Sequence, residues 1–194
     1  MKFARLASMT VVLALGACAS TPTTHFHTLL PTPAAAPAAA LRLPLARWEL
    51  LPVSVPVQAD QAPWLVRLPD DSLAVLEFER WAAPLGDEIR AALADRIRLA
   101  APLVQQAAGW RIAVEVQRFD SAPARYARID TEWSVRPGDG GPVQLRCRSS
   151  IEQTPTGPSY AALAEAHRAA LARLADIMAA AMQALDKGTP PSCA

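Results

Sequence analysis

Three segments in the second half of the chain alternate apolar and polar residues with a period of two. Trp110, Ile112, Val114 and Val116 alternate with Arg111, Glu115 and Gln117. Ile129, Thr131, Trp133 and Val135 alternate with Arg128, Asp130, Glu132, Ser134 and Arg136. Val143, Leu145, Cys147, Ser149 and Ile151 alternate with Gln144, Arg146, Arg148, Ser150 and Glu152. Neighbouring strand residues point to opposite sides, so the pattern predicts a sheet with one apolar face and one charged face. Pro137-Gly138-Asp139-Gly140-Gly141 is turn-forming and makes the last two strands a hairpin within a meander.

Two other segments carry the helical period. Leu85, Ile89, Leu93, Ile97 and Ala100 recur every three or four residues, with Pro84 at the first turn and Pro102 as the limit. Asp87 and Glu88 near the start and Arg96 and Arg98 near the end match the helix macrodipole. The second stripe runs Tyr160, Leu163, His167, Ala170, Leu171, Leu174, Ile177, Met178, Ala181, Met182 and Leu185, ended by Gly188 and Pro190. Short strands are predicted at Trp64–Arg67 and Leu73–Phe78, separated by Pro69-Asp70-Asp71-Ser72. Trp48 to Pro56 alternates around two prolines and suits an edge or bulged strand. The expected fold class is α+β: a two-layer domain in which a mostly antiparallel sheet packs on two helices, about 84–100 and 159–186.

The beginning of the chain reads differently. Lys2 and Arg5 precede a small and apolar run, Leu6 to Leu15, which is too short to span about 30 Å of hydrocarbon as a helix. It closes on Leu15-Gly16-Ala17-Cys18, which resembles the bacterial lipoprotein signal. A plain secretory signal with an incidental cysteine is the alternative. The resemblance implies a signal peptide at 1–17, lipid attachment at Cys18 and an acylated tether at 18–24. Stable anchoring then comes from acyl chains, each buried CH₂ contributing about 0.8 kcal/mol. Ala19 stands where an Asp would retain an enterobacterial lipoprotein at the inner membrane, so the expected site is the outer membrane, facing the periplasm.

His25 to Leu30 admits two readings, a continuation of the tether or a short strand with Phe26, Thr28 and Leu30 on one face. The Pro/Ala-rich run at 31–40 is a linker or loop. The rest, 25–194, is read as one periplasmic domain.

Composition sharpens this picture. The 194 residues carry 19 Lys+Arg and 18 Asp+Glu, a net charge of +1. Without Lys2 and Arg5 the remaining 17 basic and 18 acidic side chains leave −1. Nucleic-acid binding is thereby excluded as an expectation, because the attraction to phosphate is missing.

Little points to catalysis or to a cofactor. His25 and His27 lack a carboxylate or cysteine at ligand spacing, so no metal site is expected. His167 lies on the helical stripe and reads as packed. Neither G-x-S-x-G, nor H-E-x-x-H, nor a phosphate-binding glycine loop occurs. A hydrolase would need His167, or Arg125 and Tyr126, to converge with a carboxylate in a pocket. Cys147 falls on the apolar face, where it is either a buried thiol or the partner of Cys193 in a disulfide. Of five tryptophans, Trp110 and Trp133 face the core by alternation, and Trp81 packs against the start of the first helix. Trp64 is the best candidate among the five for a partly exposed partner contact, with core packing still the preferred reading.

Several pieces occur in a recognisable order: Cys18, then Phe26-His27-Thr28-Leu29, Val53 to Pro56, and Leu65-Val66-Arg67. They continue through Glu79-Arg80-Trp81-Ala82-Ala83-Pro84-Leu85, Arg118-Phe119-Asp120 and the Trp133 strand. In this order the chain resembles the PqiC/YmbA-like auxiliary lipoproteins of ABC-type and MCE-type lipid transport systems. Arg80, Trp81, Pro84 and Leu85 form the most specific piece. His27, where a second aromatic is frequent, and the long Pro/Ala insert depart from the pattern. The resemblance implies a non-catalytic outer-membrane lipoprotein that docks an MCE-domain partner, and it is compatible with homo-oligomers joined through edges such as 53–57. A scaffold or assembly lipoprotein binding lipopolysaccharide or cell wall is the second reading. A periplasmic hydrolase is the third.

Overall fold

The segments of period two are strands in the computed structural model, which describes residues 22–31, 48–100 and 109–193. Among the described residues, seven strands and two helices follow in chain order. They are β1 (His25–His27), β2 (Trp48–Leu50), β3 (Pro63–Arg67), β4 (Leu73–Trp81) and α1 (Leu85–Ala100), then β5 (Trp110–Ala122), β6 (Tyr126–Pro137), β7 (Leu145–Gln153) and α2 (Tyr160–Asp186). The signal segment 1–17, Cys18, the loop residues 32–40 and Pro102 lie outside the described residues.

The fold is α+β, but its strands form two sheets rather than one. The first has the order β1-β4-β3 and the second β2-β5-β6-β7. The long neighbours are antiparallel, whereas β1 and β2 join parallel to β4 and β5. Trp48 to Pro56 contributes only the three residues of β2 and an isolated bridge from Ser54 to Glu115, since Pro52 and Pro56 cannot donate to a ladder.

The strands run further than the alternation suggested, because each sheet contains a bulge that reverses the in–out parity. In β5 the register passes from Val116↔Thr131 directly to Arg118↔Asp130. The extra residue, Gln117, turns Phe119 and Ser121 inward where simple alternation would have placed Arg118 and Asp120. In β4 the register jumps from Trp64↔Leu76 to Pro63↔Arg80, which turns Glu79 and Trp81 inward and leaves Phe78 outside. Val143 lies before β7 and is 44% exposed. It does not belong to the inward row.

Both helices bury the stripe expected of them. Leu85, Ile89, Leu93 and Ile97 of α1 are buried, as are Leu163, His167, Leu171, Leu174, Met178 and Met182 of α2. The Pro84 carbonyl accepts from the Asp87 and Glu88 amides at 2.9 and 3.0 Å and opens α1. Gly86 is required: a β-carbon there would come within 2.7 Å of the Val53 carbonyl oxygen. Ser159 caps α2 by accepting from the Ala162 amide. Gly188, with φ 65°, takes the left-handed position that closes it. Arg96 of α1 donates through two nitrogens to Asp176 of α2 at 2.8 and 2.9 Å.

In the second sheet the inward row (Ile112, Val114, Ile129, Trp133, Val135, Cys147 and Ile151) is buried. The opposite side is laced with ion pairs, including Arg111–Glu49, Arg128–Glu152 and Arg148–Glu132.

Cys147 of β7 is disulfide-bonded to Cys193, with Cα atoms 5.4 Å apart, which fixes the segment after α2 against the sheet. The bond closes a loop of 46 residues, for which chain entropy gives roughly 2–4 kcal/mol. Non-reducing peptide mapping of exported protein is expected to return the Cys147 and Cys193 peptides as one linked species. Cys193→Ser is expected to lower unfolding free energy by about that amount in urea titrations. Two free thiols, or an unchanged midpoint, would contradict this.

Candidate functional site

The most chemically distinctive part of the molecule surrounds β1. This strand enters beside β4 with His25, Phe26 and His27 opposite Glu79, Arg80 and Trp81. Phe26 and Leu30 point outward, 66% and 42% exposed, while Leu29 is buried. The segment 26–30 therefore begins as a strand, and Phe26 and Leu30 both face outward. The strand ends at His27, and the chain turns to insert Leu29 into the core.

Three side chains fasten this segment. Glu79 receives hydrogen bonds from His25 Nδ1, at 2.9 Å, and from His27 Nε2. Burial acts to raise the Glu79 pKa, but the bonds from His27 and His25 outweigh it and hold the carboxyl below its ordinary range. Buried Glu88, in the first turn of α1, accepts from the Thr28 hydroxyl at 2.8 Å and the Leu29 amide at 2.7 Å. Its charge also lies at the positive end of the helix dipole. Arg168 of α2 donates to the Thr28 carbonyl at 2.7 Å. One short segment thus joins a strand and both helices.

Beneath β1 lies an aromatic cluster. Trp64 and Trp81 have ring centroids 4.4 Å apart, His27 meets Trp64 at 5.1 Å, and Phe119 stacks on His167 at 4.0 Å. Trp64 is 1% exposed, so it is core rather than a partner contact. Its indole N–H donates to the Ser121 hydroxyl at 2.9 Å, and Ser121 is also hydrogen-bonded to His167 Nε2 at 2.8 Å.

A serine beside a histidine invites comparison with a nucleophile and its base, but here the pair is enclosed in the core. Both residues are buried, and His167 Nδ1 has no partner among the described residues where a triad places an orienting carboxylate. Burial alone lowers the His167 pKa to about 3. Arg125 and Tyr126 do meet a carboxylate, since the Tyr126 hydroxyl donates to Asp120 at 3.3 Å. That carboxylate already binds Arg67 at 2.9 Å, while Arg125 donates to the carbonyls of Arg67 and Leu68. These contacts fix the β5–β6 turn against β3.

The strand-to-helix junction divides by role. Trp81 and Leu85 are buried in the core. Arg80 donates to the Glu77 carbonyl at 3.0 Å, and Pro84 opens α1 at the surface. Cys18 lies outside the described residues. No group of three or more His, Cys, Asp or Glu side chains suited to a metal ion occurs among the described residues.

A sequence model of one family, described as ABC-type transport auxiliary lipoprotein component, matches residues 27–179. The chain belongs to this family. The match spans β2 to β7, both helical stripes up to Ala179 and the junction at Arg80–Leu85, so the auxiliary lipoprotein is recognised over nearly all of its described structure. No curated protein matches it significantly in sequence. Among solved structures, an uncharacterized protein superposes with a TM-score of 0.62 at 16% identity, covering 81% of this chain and 97% of that one. Protein XCC0632 from Xanthomonas campestris, assigned to DUF330, superposes with a TM-score of 0.59 at 18% identity, covering 86% and 99%. These two likenesses concern the fold alone.

Sequence reasoning did not find half-buried Glu79 or buried Glu88, Asp120 and Ser121 as anchors. Two of them lie within the family-like pieces: Glu79 opens Glu79-Arg80-Trp81, and Asp120 closes Arg118-Phe119-Asp120. The burial of His167 carries a pH signature. Its folded pKa lies below the ordinary histidine value, so below about pH 6.5 the unfolded chain binds a proton that the folded chain refuses. The stability this group contributes is complete above that pH and is lost as pH falls toward 3, by up to about 1.4 kcal/mol per pH unit. Thermal melts between pH 7 and 4 are expected to show a shallower decline for His167→Gln than for the parent chain. Equal slopes would mean that His167 is protonated in the fold.

Proposed function

We propose that this auxiliary lipoprotein is a non-catalytic outer-membrane subunit of an MCE/ABC-type intermembrane lipid transport system. It docks the periplasm-spanning MCE-domain protein to the outer membrane. The observation that carries the reading is the family match over residues 27–179, which describes a transport auxiliary lipoprotein. Acyl chains on Cys18 supply the attachment to the membrane, and the sequence Leu15-Gly16-Ala17-Cys18-Ala19 supports both the modification and the outer-membrane destination.

The structure supplies physical support. No helix among the described residues is long and apolar enough to cross a membrane, so an attachment through lipid fits the chain. The helices cover one side of the second sheet and leave a charge-laced side open, with a shallow cleft of about 450 Å³ lined by Ser54, Glu115, Glu132, Trp133 and Arg146. Alternating charges on such a surface favour oriented encounter with a protein partner over adhesion to a hydrophobic one. The histidine, serine and carboxylates that a hydrolase would use are engaged in structural bonds inside the domain.

The test is co-purification from the native host. Full-length lipoprotein extracted in mild detergent is expected to retain an MCE-domain protein through washing, and deletion of either gene is expected to give the same permeability defect. Retention of lipopolysaccharide or cell-wall glycan with no MCE partner would overturn this reading in favour of a scaffold lipoprotein. Retention of neither would overturn both.

A further inference from the structure

The outward side of the first sheet differs from that of the second. Where the second sheet shows ion pairs, the first shows Phe26 at 66%, Leu73 at 51%, Val75 at 50% and Phe78 at 41% exposure. Large apolar side chains exposed singly are ordinary, but these four share one side of two adjacent strands, together with half-buried Leu65 opposite Val75. The bulge in β4 brings Phe78 to this side, so the patch is built by the same irregularity that turns Glu79 and Trp81 inward.

The position of the patch indicates what covers it. β1 runs parallel to β4, so the chain enters β1 from the end at which β4 begins, and that end carries Leu73 and Val75. Cys18 precedes Phe26 by eight residues, and an extended chain reaches at most about 3.6 Å per residue. The backbone of Phe26 therefore lies within roughly 30 Å of an acylated Cys18. Glu79, Glu88 and Arg168 fasten the β1 segment, so the tether leaves the domain at this sheet. Of the charges at the entry end, Asp71 lies 3.9 Å from Arg125 and Asp120 is bound by Arg67, while Glu77, between Val75 and Phe78, is exposed. Arg80, on the patch itself, is a cation of the kind that lies along apolar surface while keeping its head among phosphates.

We infer that the apolar outward side of the first sheet, bearing Phe26, Leu73, Val75 and Phe78, rests on the phospholipid surface into which the acyl chains of Cys18 insert. The inference rests on the lipoprotein reading of Cys18. The domain is thereby oriented on the membrane as well as tethered to it, with the acyl chains and the sheet sharing one contact area.

The test uses the full acylated protein, purified and reconstituted in vesicles of phosphatidylethanolamine and phosphatidylglycerol. An environment-sensitive fluorophore is placed at Val75→Cys or, separately, Phe26→Cys. Both positions are exposed, so neither substitution disturbs the core. A third label at Ser150→Cys reports from the charged side of the second sheet. The expected result is a blue shift of the Val75→Cys and Phe26→Cys labels on vesicle binding, with quenching by a nitroxide-bearing lipid, while the Ser150→Cys label stays quenchable by iodide in solution. Flotation with the vesicles while all three labels remain accessible to iodide would overturn the orientation and leave the anchor standing. Shielding of the Val75→Cys label from iodide without lipid quenching would overturn it in favour of contact with a second copy. Failure to float would remove the acylation reading and this inference with it.

Discussion

The contact on which the architecture depends is the meeting of Trp64, Trp81, Phe119 and His167. These residues come from β3, β4, β5 and α2, so one cluster ties the first sheet to the second and both to the long helix. Aromatic pairs of this geometry contribute about 0.5–1.5 kcal/mol each beyond the area they bury. The polar atoms that the cluster takes out of water are mostly satisfied within it, through the bonds joining Trp64, Ser121 and His167. Within the cluster, His167 Nδ1 has no partner among the described residues. Two bulges make the meeting geometrically available. Without the extra residue in β5 Phe119 would face water, and without the shift in β4 Trp81 would.

That dependence explains which parts of the molecule were legible in the sequence. The helices were read almost to the residue, because Leu85, Ile89, Leu93 and Ile97 repeat on one face and Ser159 and Gly188 mark the ends of α2. The inner rows of β6 and β7 were equally plain, since Ile129, Thr131, Trp133 and Val135 need only alternation to be recognised. The second half of β5 was not, because alternation fails at Gln117 and its new parity is set by pairing with Asp130 and Ile129, far off in sequence. The burial of Trp64 could not be read from its own strand for a related reason. A strand of five residues has too few positions to reveal its buried side, and the partners that bury Trp64, Ser121 and His167, stand 57 and 103 positions away. The division into two sheets was hidden likewise, because the parallel pairing of β1 and β2 is a long-range event.

The polar anchors show a different limit. Glu79 and Glu88 looked like ordinary surface carboxylates by composition, yet each holds part of the β1 segment. Their role becomes visible only when His25, His27, Thr28 and the Leu29 amide arrive from more than fifty residues upstream. Family resemblance located the neighbourhood, through Phe26-His27-Thr28-Leu29 and Arg80-Trp81. It did not say that the two pieces touch.

The parallel pairing of β1 with β4 also has a mechanical meaning. A tension applied to the chain ahead of His25 acts along the strand axis, so it strains the β1–β4 bonds in shear and together, rather than peeling them one after another. Behind them stand the Glu88 and Arg168 contacts, which pass the load directly into both helices. A domain hauled by its N-terminus therefore bears the load in shear at β1 before any of it reaches the helices.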